Sequence, residues 1–159
     1  MTSASVLDQI RAHLTAAGVT FAEKEHEPTH TSEESARARG ESLSTGAKAL
    51  VMKTDDTYRL FVLPADRKVD SQAIKRHLGA KKTRFADAAE LAELTGLVPG
   101  SVPPFGRPIL PLDLYVDLAL AENEKIAFNA GSLTHSIIMT LADYQRICGA
   151  EWFAFSQVR

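Results

Sequence analysis

Lys48 stands directly ahead of an apolar run, Ala49-Leu50-Val51-Met52. A cation at the mouth of such a strand sits in a low local dielectric, where it pulls strongly on an oxyanion or a phosphate. The competing reading is a strand-entry lysine whose stem lies on apolar surface and whose head is solvated. Lys53, at the far end of the run, reads as structural or solvated. Gly96 to Pro111 holds five prolines and three glycines among apolar residues. Proline lacks the N–H a ladder needs, and the segment is too apolar for a flexible linker, so it reads as a stiff loop able to bind. His26, His30, Thr31 and Ser32 precede a short helix whose N-terminus can attract a phosphate or carboxylate. Capping alone would explain Thr31. Arg67, Lys68, Lys75, Arg76, Lys81, Lys82 and Arg84 form the densest basic region. It reads equally as a solvated face or as a surface for phosphates.

Other chemistries lack their residues. There is no G-x-S-x-G elbow and no supportable Cys–His pair. There is no H-E-x-x-H and no clustered Cys/His spacing, so no metal or cofactor is expected. Cys148 is the only cysteine and reads as core packing in a late helix.

The elements that must position these residues follow from periodicity and caps. Leu7, Ile10, Leu14 and Ala17 share a helical face, with Gly18 as the stop. Val19 to Glu25 reads as a strand. Thr31 and Glu34 have capping-box spacing for a helix from Ser32 to Arg39, ended by Gly40. Ala49 to Lys53 and Tyr58 to Leu63 flank Asp55-Asp56 as a hairpin. Asp70 caps a helix through Ile74 and Leu78. Thr83 to Ala86 is extended. Asp87 and Glu90 open a helix to Thr95. Strands are expected at Leu114 to Asp117, Lys125 to Asn129 and Ile137 to Met139, with a turn at Gly131 to His135. Thr140 and Asp143 start a last helix, which Gly149 stops, and Glu151 to Phe155 closes the chain. Strands and helices mix without strict alternation, which predicts an α+β fold with a mixed sheet.

A length of 159 residues without an internal repeat predicts one compact domain over residues 1–159. With 45% apolar and 24% charged residues the chain has ordinary globular composition. No apolar run reaches the ~20 residues of a membrane span, Met1 to Val6 show no leader pattern, and a single cysteine excludes an internal disulfide. A cytoplasmic protein without membrane contact is expected. The formal charge of -2 argues against DNA or long RNA, while leaving the end of an RNA open.

Three segments, in order, resemble the YbaK and prolyl-tRNA-synthetase-associated editing family. They are Gly46-Ala47-Lys48-Ala49-Leu50-Val51-Met52-Lys53, the loop Gly96 to Gly106 with its G-x-x-x-P run from Gly100 to Pro104, and Phe128-Asn129-Ala130-Gly131-Ser132-Leu133-Thr134-His135-Ser136-Ile137. The resemblance implies a partly barrel-like mixed sheet surrounded by helices. It implies hydrolysis of the ester joining a wrong amino acid, such as serine, threonine, alanine or cysteine, to the 3′ ribose of tRNA. The family's functional lysine maps to Lys48. Gly100, Ser101, Val102, Pro103 and Pro104 would give backbone N–H groups and a wall for the aminoacyl group. Phe105 would pack beneath that loop or stack on the terminal adenine. Gly131, Ser132, Thr134 and His135 would form a third wall, with N–H groups for the carbonyl or ribose. Members of the family vary at the His135 position. The expected partner is the acceptor end of aminoacyl-tRNA, with a synthetase or elongation factor as further candidates. The rival readings are a non-catalytic nucleotide- or protein-binding module on this fold, and a hydrolase of another small activated ester.

Overall fold

A computed structural model describes residues 5–158. Residues 1–4, on which the expectation of no leader partly rests, lie outside the described residues. The chain opens with helix α1 (Val6–Ala16) and strand β1 (Phe21–Glu25). Helix α2 (Ser32–Arg39) follows, then a 3-10 turn (Leu43–Thr45) and the hairpin β2 (Ala47–Thr54) and β3 (Thr57–Pro64). Next come β4 (Arg67–Val69), α3 (Ser71–Leu78), β5 (Thr83–Phe85) and α4 (Ala88–Thr95). After the proline-rich loop lie β6 (Leu114–Asp117), a second 3-10 turn (Leu118–Glu122), β7 (Lys125–Asn129) and β8 (His135–Thr140). Helix α5 (Leu141–Ile147), β9 (Glu151–Phe153) and β10 (Ser156–Val158) complete it.

The caps act where their spacing places them. Thr31 Oγ1 accepts from the Glu34 N–H at 3.1 Å, Asp70 caps α3, and Asp87 and Glu90 form a reciprocal box on α4. Each satisfies N–H groups that a helix start would otherwise leave orphaned. The Asp55-Asp56 turn closes the hairpin, with Asp55 at φ 52°.

The central sheet has strand order β5-β2-β3-β6-β9. Strands β3, β6 and β9 run parallel, and the remaining pairs are antiparallel. Helices cover both of its faces, and the run Leu60-Phe61-Val62-Leu63 shows why. Leu60 and Val62 enter one core with Ile10, Phe128 and Tyr144, while Phe61 and Leu63 enter a second with Ile74 and Phe155. A strand buried on both faces reads as continuous apolar sequence. A three-stranded sheet, β1-β8-β7, and a two-stranded one, β10-β4, flank it. A single parallel bridge, Gly46 to Ala127, ties β2 to β7. The expected barrel-like closure is corrected: among the described residues the sheets stay open, with β5 and β9 as edges. Strands β4 and β10 were not foreseen. Buried Asp117 holds the second, accepting from the Phe155 N–H at 2.8 Å and from Ser156 Oγ at 2.5 Å.

Candidate functional site

A cavity of about 190 Å³ opens between α2, the start of β2 and the proline-rich loop. Its walls include Thr31, Ser32, Ser35 and Arg39 from the α2 region, Ala47 to Leu50 from β2, Gly100 and Val102 from the loop, and Asn129 from β7. Among the described lining residues none is Asp or Glu, and the two of fixed charge, Arg39 and Lys48, are both cations. Lys48 is half-buried at the cavity edge.

Strand β2 turns its main chain toward this space. The Gly46 carbonyl accepts from Ala65 beyond β3, and the Val51 carbonyl accepts from Ala86 on the opposite side. Alternation then directs the Ala49 N–H and C=O away from β3. Strand β5 pairs only with Met52 to Thr54, which leaves the edge near Ala49 to the cavity.

Arg39 was missed in the sequence. It is only 4% exposed. Its Nε donates to Ser136 Oγ at 2.9 Å and its Nη2 to Asn129 Oδ1 at 3.0 Å. Asn129 Nδ2 in turn donates to the Gly100 carbonyl at 2.7 Å, so one amide links the arginine to the loop. Desolvation lowers the guanidinium pKa to about 10, which leaves it charged at neutral pH. That drop corresponds to a burial cost of roughly 3 kcal/mol. Helix α2 has no apolar stripe, so hydrophobic periodicity does not mark Arg39 as buried. The signal was the small stripe Ser32, Ser35, Ala36 and Arg39, at helical spacing on the face turned inward.

The remaining expected residues separate into two groups. Gly100 and Val102 line the cavity with Lys48 and Thr31. Ser101, Pro103, Pro104 and Phe105 are buried behind it. Ser101 Oγ donates to the Val98 carbonyl at 2.8 Å, and the Pro104 carbonyl accepts from Tyr144 Oη at 2.7 Å. Phe105 is 3% exposed and meets Phe128 and Tyr144 edge-on, so it packs in the core and has no face to offer an adenine. These residues stiffen the wall without forming its surface.

Gly131, Ser132, Thr134 and His135 are not among the cavity lining. The Gly131 N–H donates to the Ser101 carbonyl at 2.9 Å and so is committed to holding the loop. Gly131 has φ 75°, and a Cβ there would come within 2.8 Å of Val6. Close packing therefore requires this glycine. His135 Nδ1 lies 2.9 Å from Thr134 Oγ1 and 3.2 Å from Ser132 Oγ, while its Nε2 lies 3.9 Å from Glu25 Oε2 on β1. Gly131 thus braces the loop from behind, while Ser132 and Thr134 sit in the turn that follows it and His135 at the start of β8, all outside the cavity lining. Lys53 lies apart, over the Tyr58 ring at 5.5 Å. Cys148 is buried, and burial pushes its thiol up, away from thiolate chemistry. Among the described residues no group of three or more His, Cys, Asp or Glu could hold a metal ion, and no helix is long and apolar enough to cross a membrane.

Comparison with known proteins adds to this geometry. The aminoacyl-tRNA editing domain matches residues 26–147, a span containing every wall of the cavity. The chain belongs to the aminoacyl-tRNA editing domain family. A curated relative, the multifunctional Ser/Thr-tRNA deacylase ProXp-y of Escherichia coli K12, is 38% identical over 98% of this chain and 96% of its own length. A proline–tRNA ligase of Shouchella clausii is 34% identical over 63% of this chain but only 17% of its own length. Among solved structures, one described as a putative trans-editing enzyme for prolyl tRNA synthetase superposes with a TM-score of 0.82 at 24% identity, over 98% of this chain and 99% of the other. The editing-domain fold is therefore shared across nearly the whole chain.

Proposed function

We propose that this chain is an aminoacyl-tRNA deacylase whose reaction takes place in the cavity between α2, β2 and the Gly100 loop. The observation that carries the reading is the convergence of Lys48, the Gly100 backbone and the Arg39–Asn129 link on one small space. An aminoacyl ester is already activated, so positioning and charge stabilisation supply most of what hydrolysis needs. Water adds to the ester carbonyl, and negative charge grows on its oxygen. The Lys48 ammonium stabilises that oxyanion. Collapse breaks the bond to the ribose oxygen, which leaves with a proton originating from the water, and the free amino acid retains the new hydroxyl. Arg39 keeps Asn129 against the Gly100 carbonyl and so fixes the opposite wall.

Serine and threonine are the proposed aminoacyl groups. Thr29 and Ser35 are buried, line the cavity and share a 2.8 Å hydrogen bond between their hydroxyls. A wall of hydroxyls suits a substrate side chain that can itself donate and accept. The similarity to a Ser/Thr-tRNA deacylase supports the same choice.

The test is a panel of tRNAs charged with serine, threonine, alanine, cysteine or proline, incubated with the purified chain. Faster release of serine and threonine than of the others is expected. If no charged tRNA is cleaved above its spontaneous rate, the deacylase reading fails and a non-catalytic binding module takes its place.

A further inference from the structure

The chain has a second concentration of positive charge, away from the cavity. An open groove of about 460 Å³ is lined by Lys53, Asp55, Lys75, Lys81, Lys82, Thr83 and Arg84. Five of these seven are cations, in a chain whose formal charge is -2. Arg84 is committed, gripping Glu90 through both terminal nitrogens at 2.6 and 2.7 Å. Lys81 and Lys82 are exposed, and their presentation is fixed by the main chain. Asp55 Oδ1 accepts from both of their N–H groups at 3.0 Å, and the Asp55 N–H donates back to the Lys82 carbonyl at 2.9 Å. Three bonds to the main chain thus dock the 80–82 turn onto the β2–β3 turn, so the two lysines project from a rigid base. Lys75 reaches the same groove from α3.

The groove and the cavity border the same strand. Both flank the edge of β2 turned away from β3: the cavity at Ala47 to Leu50, the groove where β5 pairs with Met52 to Thr54. From Lys48 to Lys53 is five residues of extended strand, about 17 Å at ~3.3 Å each. At ~3.4 Å per stacked nucleotide, that equals roughly five nucleotides. A strand whose last ribose sits beside Lys48 would therefore bring phosphates about five nucleotides upstream onto the lysines. Phe85, 57% exposed on β5, adds an apolar surface next to this charge, a combination suited to nucleic acid.

We propose that this groove is the docking surface for the sugar–phosphate backbone at the top of the tRNA acceptor stem. This rests on the deacylase reading for the position of the 3′ end, while the charge of the groove is independent of it. Recognition is of phosphates by ammonium groups, so it positions the RNA and carries no base sequence.

The experiment compares wild type with a Lys75→Gln/Lys81→Gln/Lys82→Gln variant on two substrates, seryl-tRNA and a seryl ester of the terminal trinucleotide CCA. Binding of uncharged tRNA is measured alongside, over a range of salt. The expected result is a 10- to 100-fold rise in KM for seryl-tRNA with kcat unchanged, and no change on the trinucleotide. Binding of uncharged tRNA should weaken in parallel. Its log–log salt slope should fall by about 2, at roughly 0.7–0.9 for each phosphate the variant no longer neutralises. Lys81→Arg and Lys82→Arg should keep wild-type KM, since the charge is retained. Unchanged KM and salt slope on tRNA would overturn the proposal, as would an equal loss on both substrates. If no ester is cleaved by wild type, the deacylase reading falls alone, and the tRNA binding curves still decide the groove.

Discussion

The cavity and the groove are both positive, yet the charge is built in opposite ways. In the cavity Arg39 is buried and its fork is fixed by Ser136 and Asn129. In the groove Lys81 and Lys82 are exposed, and it is the backbone beneath them that is fixed. A buried guanidinium acts through geometry, is poorly screened and cannot be fully replaced by a different cation. Exposed ammoniums act through number, are strongly screened and substitute for one another. On the proposed reading one fold serves a labile bond at one site and a polyanion at the other, and salt should tell them apart.

The largest expected effect is at the cavity edge. Lys48→Ala should lower kcat for serine release by about 10²- to 10³-fold, the range for removing one oxyanion-stabilising group, with KM nearly unchanged. Steady-state kinetics on seryl-tRNA checks this. A wild-type rate would remove Lys48 from the chemistry and leave the cavity as a binding site only. Arg39→Met comes next, at about 10- to 100-fold in kcat/KM. Its thermal midpoint should move little, because the methionine relieves a burial cost of roughly 3 kcal/mol while losing two hydrogen bonds. Arg39→Lys should restore only part of the loss, since a point-charge ammonium lacks the planar fork whose Nε and Nη2 donate to Ser136 and Asn129. If lysine restores full activity, the geometric half of the contrast fails.

Much of this division was legible before folding, for particular reasons. The caps at Thr31, Asp70, Asp87 and Thr140 marked helix starts at the observed residues, because each satisfies N–H groups next to it in sequence. The Asp55-Asp56 turn marked the hairpin for the same local reason. The lysine and the Gly100 run could be placed in one site, and the structure brings them to one cavity. Only the stripe of small residues on α2 hinted locally at the burial of Arg39, and its partners Asn129 and Ser136 lie 90 and 97 residues away. The Gly131 turn was legible as a tight turn but not as a brace, since that depends on Ser101 and Val6 across the fold. Strand β10 escaped notice because three residues carry no periodicity, and buried Asp117 holds it.

A smaller effect sharpens the groove side by strengthening it. Gly131→Ala first gives a reference for the brace. Strain at positive φ and the clash with Val6 should lower stability by about 1–3 kcal/mol in a thermal melt, with activity per folded molecule little changed. Asp55→Asn then changes charge with almost no change in shape. Asparagine tolerates the positive φ of this position, and its carbonyl oxygen still accepts from the N–H groups of Lys81 and Lys82. What disappears is the one negative charge among the described residues lining the groove. An exposed charge in physiological salt contributes a few tenths of a kcal/mol to a neighbouring phosphate, so KM for seryl-tRNA should fall about 2-fold. The trinucleotide ester should show no change, because its last phosphate does not reach the groove. The gain should fade above ~0.5 M salt, where the screening length drops below the spacing of these groups. A gain that persists at high salt, or that appears on the trinucleotide, would mean Asp55 acts on the cavity through β2 rather than on RNA through the field of the lysines.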